Sequence, residues 1–280
     1  GKDLVEQGGL KIITTIDYDL QQKAEDISKK YSQENKEKFN ATNNGIISID
    51  PKTGQILVMV VSKDYFNKEE EGNFNVTLAH RQPGSSIKPF IYATAFKNGY
   101  TPKTIVFDLP TEFNSSCNPD GTPRAGIDQE KCYMPRNYDG QFRGPVTLKE
   151  ALAQSLNIPS VKTLYLAGII DSIRTIKDMG ITSLNDPDRY GLTLVLGGGE
   201  VSLLELTGAY SVLASGGIRH PITGILKVED KDGRVLEEFY PQPKQALGKN
   251  IALTITEILS DNDARTPAFG RVSPLYFPER

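Results

Sequence analysis

The sequence has little of several features on which common activities depend. Only two of its 280 residues are histidine, two are cysteine and none is tryptophan. The net charge is −3, and this gives no support for nucleic-acid binding, which usually shows a basic domain. No apolar run approaches the roughly 18–20 residues needed to span a bilayer. These absences leave a globular protein whose chemistry must come from other residue types.

Several catalytic and binding motifs are missing as well. There is no Gly-x-Ser-x-Gly, and His80 has no partner carboxylate nearby in sequence, so a Ser-His-Asp enzyme is not supported. No Gly-x-x-x-x-Gly-Lys phosphate loop occurs, and the triple glycine 197–199 indicates a turn. Cys117 and Cys132 lack the clustered spacing of metal ligands. Their polar loop is compatible with a disulfide and with free thiols.

The overall composition is that of a folded domain. Hydrophobic residues make up 38% and charged residues 24% of the chain, so a packed core is expected and wholesale disorder is not. The length fits one large domain or two modest ones. Because the chain starts at Gly1 rather than Met, we expect a piece of a longer protein, and the lack of a signal peptide says nothing about location.

The periodicity of apolar residues predicts a mixed architecture. A strand is expected at 10–16, a helix at 19–38 after an Asp17 N-cap, and a hairpin formed by 45–50 and 55–61. The remaining predicted elements are helices over 85–98, 148–155, 160–167, 169–179, 202–215 and 247–259, a loop over 108–145 and a hairpin formed by 222–229 and 234–239. The order is that of an α+β fold rather than of alternating βαβ units.

The most informative segment is Arg81-Gln-Pro-Gly-Ser-Ser-Ile-Lys-Pro-Phe90. It places Ser85 and Lys88 three residues apart at the head of a predicted helix, where positions i and i+3 share a face. A serine hydroxyl becomes a good nucleophile when a neighbouring base takes its proton. A lysine whose pKa is lowered by burial can act as that base, and the first turn of a helix offers unpaired N–H groups to an oxyanion.

The Ser-x-x-Lys spacing alone is weak evidence for a catalytic pair. With 17 Ser and 21 Lys in the chain, about one Ser-x-x-Lys match is expected by chance, and one is present. An ordinary surface serine and lysine on a helix would produce the same letters. The Pro-Gly entry, the apolar run that follows and the lack of a rival nucleophile favour the catalytic interpretation.

These residues and several later blocks resemble the transpeptidase domain of class A penicillin-binding proteins. The Ser85 segment is similar to the nucleophile motif of that family. Further similar blocks are Gly8-Gly-Leu-Lys-Ile-Ile-Thr-Thr-Ile-Asp17, Arg136-Asn-Tyr138-Asp-Gly, Thr147-Leu-Lys-Glu-Ala-Leu-Ala-Gln-Ser155-Leu-Asn157-Ile-Pro, and Leu196-Gly-Gly-Gly-Glu-Val-Ser-Leu-Leu-Glu-Leu. The resemblance thus extends over nearly the whole chain. It implies a β-lactamase/transpeptidase-like fold, with an antiparallel sheet packed by helices and a mostly helical subdomain.

The resemblance also implies a second catalytic element, a Ser-x-Asn that relays a proton. Four copies occur, at 116–118, 155–157, 183–185 and 260–262. Ser155 and Asn157 are chosen because they follow the nucleophile by about 70 residues and end a predicted capped helix within a family-like block. The predicted catalytic residues are therefore Ser85, Lys88, Ser155 and Asn157, with no metal or organic cofactor.

The family's third element, a Lys-Thr-Gly strand, has no good match. The single Lys-Thr-Gly, Lys52-Thr53-Gly54, precedes the nucleophile and lies in a predicted hairpin turn. In the family the motif follows a segment like 264–270. We therefore expect the strand with the true motif, and the sheet strands after it, to lie beyond this sequence, which leaves a bare apolar edge on the N-terminal hairpin.

In domain terms, the resemblance implies that residues 1–17 are a strand leading from a preceding domain and that 18–280 are a partial transpeptidase domain. It implies D-alanyl-D-alanine transpeptidation of peptidoglycan stem peptides, inhibition by β-lactams, and a position on the extracytoplasmic face of the bacterial membrane. A glycosyltransferase domain and a membrane anchor are the expected companions. The alternatives are a carboxypeptidase or β-lactam hydrolase of the same superfamily, or a non-catalytic sensor or scaffold.

Overall fold

A computed structural model of the protein describes residues 2–69 and 71–277. Helices and small antiparallel sheets alternate along the chain, and the predicted α+β class is confirmed. Two compact units are present. The first unit comprises 1–81, 178–183 and 201–249, and the second unit comprises 82–177, 184–200 and 250–280.

The elements follow one another in an order close to the predicted one. The helices are α1 (Lys2–Gln7), α2 (Tyr18–Phe39), α3 (Lys88–Lys97), α4 (Leu148–Ala153), α5 (Asn157–Ala167), α6 (Ile169–Asp178), α7 (Pro187–Tyr190), α8 (Leu203–Ala214), α9 (Lys249–Ser260) and α10 (Asn262–Phe269). The strands are β1 (Lys11–Thr14), β2 (Ile46–Ile49), β3 (Ile56–Val60), β4 (Ile105–Asp108), β5 (Gly144–Thr147), β6 (Ile218–Arg219), β7 (Ile225–Glu229), β8 (Val235–Glu238) and β9 (Lys244–Gln245). Short 3₁₀ turns occupy Gly84–Ile87, Gln129–Lys131 and Gly191–Leu196.

The first unit contains the predicted N-terminal strand, helix and hairpin. β1, β7 and β8 form an antiparallel sheet in the order β1-β7-β8, and β2 pairs with β3. Asp17 caps α2 as predicted, since its Oδ1 accepts the Leu20 N–H at 3.0 Å. The helix packs on the hairpin, where Ala24 is buried against Val58 and Val60.

The turn of this hairpin contains the Lys-Thr-Gly letters. Asp50 Oδ1 accepts the Lys52 N–H at 3.0 Å, and Asp50 Oδ2 accepts the Thr53 hydroxyl at 2.7 Å. Gly54 closes the turn with a φ of 77°, a conformation that favours glycine. The prediction that this triplet serves the turn is confirmed.

The two edges of the hairpin differ. At β3, the Gln21 side chain of α2 donates to Met59 O at 3.3 Å and accepts the Met59 N–H at 2.9 Å. This amide therefore occupies the position that a neighbouring strand would take. On the other side of β2, no further strand pairs within residues 2–69 and 71–277, while α8 packs against β2, and the expected bare apolar edge stays a prediction.

The core of the second unit is a helix buried on all sides. Phe90, Ile91 and Tyr92 of α3 have no exposed surface, and α3 packs against α4 and α5. The Tyr92 hydroxyl lies 3.0 Å from Ser160 Oγ of α5. A helix that is apolar on every face needs such complete burial. The packed helix provides a rigid support for the Gly84–Ile87 turn that precedes it.

Two predicted helix starts are corrected. The helix expected at 85–98 begins only at Lys88, because Gly84–Ile87 forms a 3₁₀ turn. The helix expected to resume at Ser160 begins at Asn157. Pro159 lies in its first turn, where a missing N–H leaves no hydrogen bond unmade, so the proline starts this helix rather than interrupting it.

The stretch expected as loop contains an unpredicted strand pair at its ends. β4 pairs antiparallel with β5, with Val106 opposite Val146. Between them, Cys117 and Cys132 form a disulfide with a Cα–Cα distance of 5.7 Å. This resolves the question that the sequence left open, and it closes a polar loop that has little apolar surface of its own.

The last helix, α10, was not predicted. The Asp261 side chain caps it by accepting the Ala264 N–H at 2.9 Å and forms a 2.6 Å ion pair with Lys149. Pro267 lies inside this short helix, and an internal proline is a signal against a helix in sequence. The Asp261 cap was the signal in favour.

Candidate active site

Ser85 lies in the 3₁₀ turn that precedes α3, and its side chain is exposed. The turn is fixed by a close backbone approach, since a Cβ at Gly197 would lie 2.3 Å from the main-chain nitrogen of Gly84. Glycine at 197 is therefore required by the space as well as by its φ of 89°. Within the described part of the chain, neither the Ser85 hydroxyl nor its N–H forms a hydrogen bond. Both groups are thus available to a ligand.

Lys88, the first residue of α3, is almost completely buried, with 1% of its surface exposed. Its Nζ donates to four oxygens: Ser155 O at 2.7 Å, Ser155 Oγ at 3.2 Å, Leu156 O at 3.3 Å and Asn157 Oδ1 at 2.8 Å. All four lie on residues 155–157, here called the 155–157 segment. The amine is therefore directed at this segment rather than at Ser85.

Burial has a large electrostatic effect on this amine. Desolvation lowers the pKa of Lys88 from 10.5 to about 7 and is the single cause of the shift. The four oxygens around Nζ are uncharged. Near neutral pH a substantial fraction of Lys88 is consequently a neutral amine, which has a lone pair and can accept a proton.

Ser155 lies in the turn between α4 and α5. Its φ of 54° is in the left-handed region, which is uncommon for a residue other than glycine and is found at functional sites. The turn is held by bonds from the Ser155 N–H to Leu152 O and from the Leu156 N–H to Ala151 O, each 3.0 Å long. This geometry directs both Ser155 O and Ser155 Oγ towards Lys88.

Asn157 begins α5 and is held at three points. Its N–H donates to Asn137 Oδ1 at 2.8 Å, its Nδ2 donates to Arg136 O at 2.8 Å, and its Oδ1 accepts from Lys88 at 2.8 Å. The side-chain amide therefore has a defined orientation, with the oxygen towards the lysine.

A cavity of about 410 Å³ joins these groups. Ser85, Ser155 and Asn157 lie on its wall, together with Phe269 of α10 and the fully exposed Tyr138. The structure thus brings all four predicted site residues together, three on the cavity wall and Lys88 bonded to two of them. Of the four Ser-x-Asn copies, Lys88 bonds only the one at 155–157 in the described residues.

Two buried polar residues next to these groups, Asn137 on the cavity wall and Asp108 behind it, were not among the predicted site residues. Asn137 and Asp108 are both buried, and Asn137 Nδ2 donates to the two Asp108 carboxylate oxygens at 2.8 and 2.9 Å. The one signal was the position of Asn137 beside Tyr138 in a family-like block. The residues described here contain no group of three or more His, Cys, Asp or Glu that could hold a metal, and no described helix is both long and apolar enough to cross a membrane.

The fold places the chain among the β-lactamase/transpeptidase-like proteins. In the sequence comparison, the family described as the penicillin binding protein transpeptidase domain matches residues 45–271. The chain therefore belongs to this family, and the predicted relationship to class A penicillin-binding proteins is confirmed.

Individual relatives agree with this assignment. Penicillin-binding protein 2D of Bacillus subtilis is 34% identical over 266 residues, which is 92% of this chain and 35% of that protein. Penicillin-binding protein 1A of Pseudomonas aeruginosa is 34% identical over 215 residues, or 76% of this chain and 24% of that protein. The chain thus spans about a third or less of the length of these curated relatives.

Solved structures show the same fold. The crystal structure of penicillin-binding protein 1A from Haemophilus influenzae has 25% identity and a TM-score of 0.65, and the match covers 79% of this chain and 35% of that one. PonA1 from Mycobacterium tuberculosis, in complex with penicillin V, has 23% identity and a TM-score of 0.73. That match covers 93% of this chain and 65% of PonA1, and it supports the fold alone.

Proposed function

We propose that this chain is part of the transpeptidase domain of a serine D-alanyl-D-alanine transpeptidase that cross-links peptidoglycan stem peptides. The observation that carries the proposal is the buried Lys88 amine, with a pKa lowered to about 7 and bonded to Ser155 and Asn157. This amine lies behind a cavity whose wall includes the exposed Ser85. Membership of the penicillin-binding protein transpeptidase family supports the same chemistry.

In the proposed first step, Ser85 Oγ attacks the carbonyl carbon of the penultimate D-alanine, and its proton passes to neutral Lys88. The Oγ–carbon bond forms, and the carbon–nitrogen bond to the terminal D-alanine breaks. Ser155, at 3.2 Å from Lys88 Nζ, relays the proton to the leaving amine. Asn157 holds Lys88 and the substrate amide. An amine of a second stem peptide then attacks the ester carbon. The new carbon–nitrogen bond replaces the bond to Ser85 Oγ, and a proton of the amine returns to that oxygen.

Two features of the turn at Ser85 support this step. The free Ser85 N–H, at the beginning of a helical segment, is a donor for the developing oxyanion. Ser85 and Lys88 lie three residues apart, in the 3₁₀ turn and at the start of α3, and catalytic hydrogen bonds often tighten only when substrate is bound. A β-lactam would mimic the donor peptide and acylate the same oxygen.

Membership of the family supports a proposal for the location and the partners. We propose that the whole protein acts on the extracytoplasmic face of the bacterial membrane, with a glycosyltransferase domain and a membrane anchor, and that residues 1–17 connect to that part. The Cys117–Cys132 disulfide supports an oxidising compartment. The proposed ligands are stem peptides and β-lactams.

Labelling of the full-length protein with a fluorescent penicillin tests the proposal. We expect wild type to be labelled at Ser85, Ser85→Ala to lose the label, and Ser86→Ala to keep it. Ser86 is the matched control because its hydroxyl donates to Pro83 O at 2.5 Å and not to Lys88. Absence of label on wild type would favour a non-catalytic module, and rapid loss of the label would favour a hydrolase.

A further inference from the structure

A buried carboxylate lies behind the Lys88 site, and the proposed mechanism gives it no role. Asp108 ends β4 and has 0% of its surface exposed. Its oxygens accept from Asn137 Nδ2 at 2.8 and 2.9 Å, and its Oδ2 also accepts the Arg143 N–H at 3.0 Å. A buried carboxylate is costly unless it is hydrogen-bonded in this way, so its partners need an explanation.

The carboxylate and the main-chain oxygen of Gln141 together determine which way the Asn137 amide points, because Asn137 Nδ2 also donates to Gln141 O at 2.8 Å. A side-chain amide has one donor end and one acceptor end, whereas a carboxylate only accepts. Asp108 therefore holds Asn137 Nδ2 towards β4 and leaves Asn137 Oδ1 for the Asn157 N–H, at 2.8 Å. In the flipped orientation, two acceptors would meet at Asp108 and two donors would meet at Asn157.

The Asn137 amide in turn caps α5. Leu156 occupies the N-cap position and offers no side-chain acceptor, so the first N–H of the helix needs a partner from elsewhere. Asn137 Oδ1 supplies it. The adjacent Arg136 O accepts from Asn157 Nδ2 at 2.8 Å, and this leaves Asn157 Oδ1 directed at Lys88.

We propose that Asp108, acting through Asn137, is a positioning residue that keeps the 155–157 segment in the conformation in which its oxygens surround the Lys88 amine. The chain of contacts is continuous, from a buried charge to an amide, to the start of a helix, to the lysine. Its effect on acylation rests on the proposed function, whereas its effect on Lys88 does not.

The charged surroundings of Lys88 do not supply another control of its protonation. α3 packs against α4, α5 and the 3₁₀ turns 84–87 and 191–196, and neither turn carries a titratable side chain. The titratable side chains on the three helices are Tyr92, Lys97, Lys149, Glu150, Lys162 and Tyr165. In the described residues none of them forms a hydrogen bond or ion pair with Lys88. The uncharged oxygens of the 155–157 segment are its polar environment.

The test compares full-length wild type with Asp108→Asn, which keeps the volume and removes the acceptor-only group. Lysine labelled with ¹³C at Cε reports the pKa of Lys88, assigned with Lys88→Arg. We expect this pKa to fall by half a unit or more, because the ammonium loses an oxygen acceptor. Penicillin acylation should slow by about 10- to 100-fold, as for a misplaced reacting group. An unchanged or raised pKa in the folded variant would overturn the proposal.

Exchanging the two side chains provides a rescue. In the double variant Asp108→Asn/Asn137→Asp, the carboxylate at 137 accepts the Asn157 N–H and an N–H of the amide at 108, whose oxygen can accept the Arg143 N–H, while Gln141 O loses the donor that Asn137 Nδ2 provides in wild type. We expect the Lys88 pKa and the acylation rate to recover towards their wild-type values, because the bond to the Asn157 N–H is restored. If Asp108→Asn alone does not fold, this exchange decides, because a folded double variant whose Lys88 pKa lies more than half a unit below that of wild type contradicts the proposal.

Glu112→Gln is the matched control. Glu112 Oε1 accepts the Asn114 and Tyr133 N–H groups, each at 2.7 Å, and forms no bond to the 155–157 segment. We expect this variant to leave the Lys88 pKa unchanged. If wild type is not acylated, the proposed function fails while the pKa comparison still decides the role of Asp108.

Discussion

At the scale of single residues, the two central groups of the site differ in exposure: the Ser85 side chain is exposed, and Lys88 is buried. Ser85 is open to a cavity, while Lys88 is 1% exposed and enclosed by oxygens. The spacing of three residues predicts that both lie on one helix, whereas the structure places Ser85 in the 3₁₀ turn and Lys88 at the start of α3. The spacing does not reveal that the amine bonds the 155–157 segment, because that segment lies almost 70 residues away in sequence.

The depressed pKa of Lys88 predicts a pH dependence of acylation. Only the neutral amine accepts the Ser85 proton, so the rate should rise with pH through a midpoint of about 7 and then level off. Stopped-flow labelling with a fluorescent penicillin between pH 5 and 9 measures this profile. A midpoint near the ordinary lysine value would show that Lys88 is not the base.

The matched control is Lys162, whose pKa burial also lowers and whose Nζ donates to Phe107 O at 2.7 Å. Lys162→Met should keep the midpoint of the pH profile, and Lys88→Met should abolish acylation.

The pH dependence of stability provides a second measurement of the Lys88 pKa. Because the folded pKa of Lys88 is lowered, the unfolded chain binds more protons between about pH 7 and 10.5, so wild type should gain stability relative to Lys88→Met as pH rises through this range.

At the scale of elements, the junction of α4 and α5 shapes the site. α4 starts with a capping box, in which Thr147 Oγ1 accepts the Glu150 N–H at 3.2 Å and Glu150 Oε2 accepts the Thr147 N–H at 2.8 Å. This signal was evident in the sequence. Because α4 has only six residues, we expect a displacement of its first turn to move Ser155, which lies just after its last turn.

Thr147→Ala should cost about 1 kcal/mol of unfolding free energy and should also slow acylation, because α4 carries the turn at Ser155. Urea unfolding and penicillin labelling measure the two effects. Ser202→Ala is the matched control, since Ser202 Oγ caps α8 by accepting the Glu205 N–H at 3.1 Å. We expect a similar loss of stability there without slower acylation. Equal slowing in both variants would contradict a local role for the α4 cap.

At the scale of the whole molecule, the two units interleave along the chain. The chain passes from one unit to the other after residues 81, 177, 183, 200 and 249. No composition change in the sequence marks these points. The division between residues 17 and 18 that the resemblance implies stays a prediction. Contacts between residues that are far apart in the sequence define these units, and patterns of neighbouring residues do not reveal such contacts.

We expect the Cys117–Cys132 disulfide to stabilise the folded protein as a whole. Removing it with Cys117→Ser/Cys132→Ser should lower the unfolding free energy by up to about 3 kcal/mol, because the unfolded chain regains the freedom of the closed loop. Penicillin acylation at 25 °C should change little, since neither cysteine bonds the 155–157 segment. Urea unfolding with and without reductant provides the measurement, and a loss of acylation in the folded variant would place the loop in the site.

The amino-acid sequence by itself determined the local features: the Asp17 and Thr147 caps, the turn at Asp50 and the helix behind Ser85. Each depends on residues a few positions apart, so propensity and hydrogen-bonding patterns suffice to find it. Only the tertiary structure decided the pairing of β4 with β5, the burial that lowers the Lys88 pKa, and the link from Asp108 through Asn137. These features depend on desolvation and on contacts between segments that are far apart in the sequence. A pattern of neighbouring residues reports neither of them.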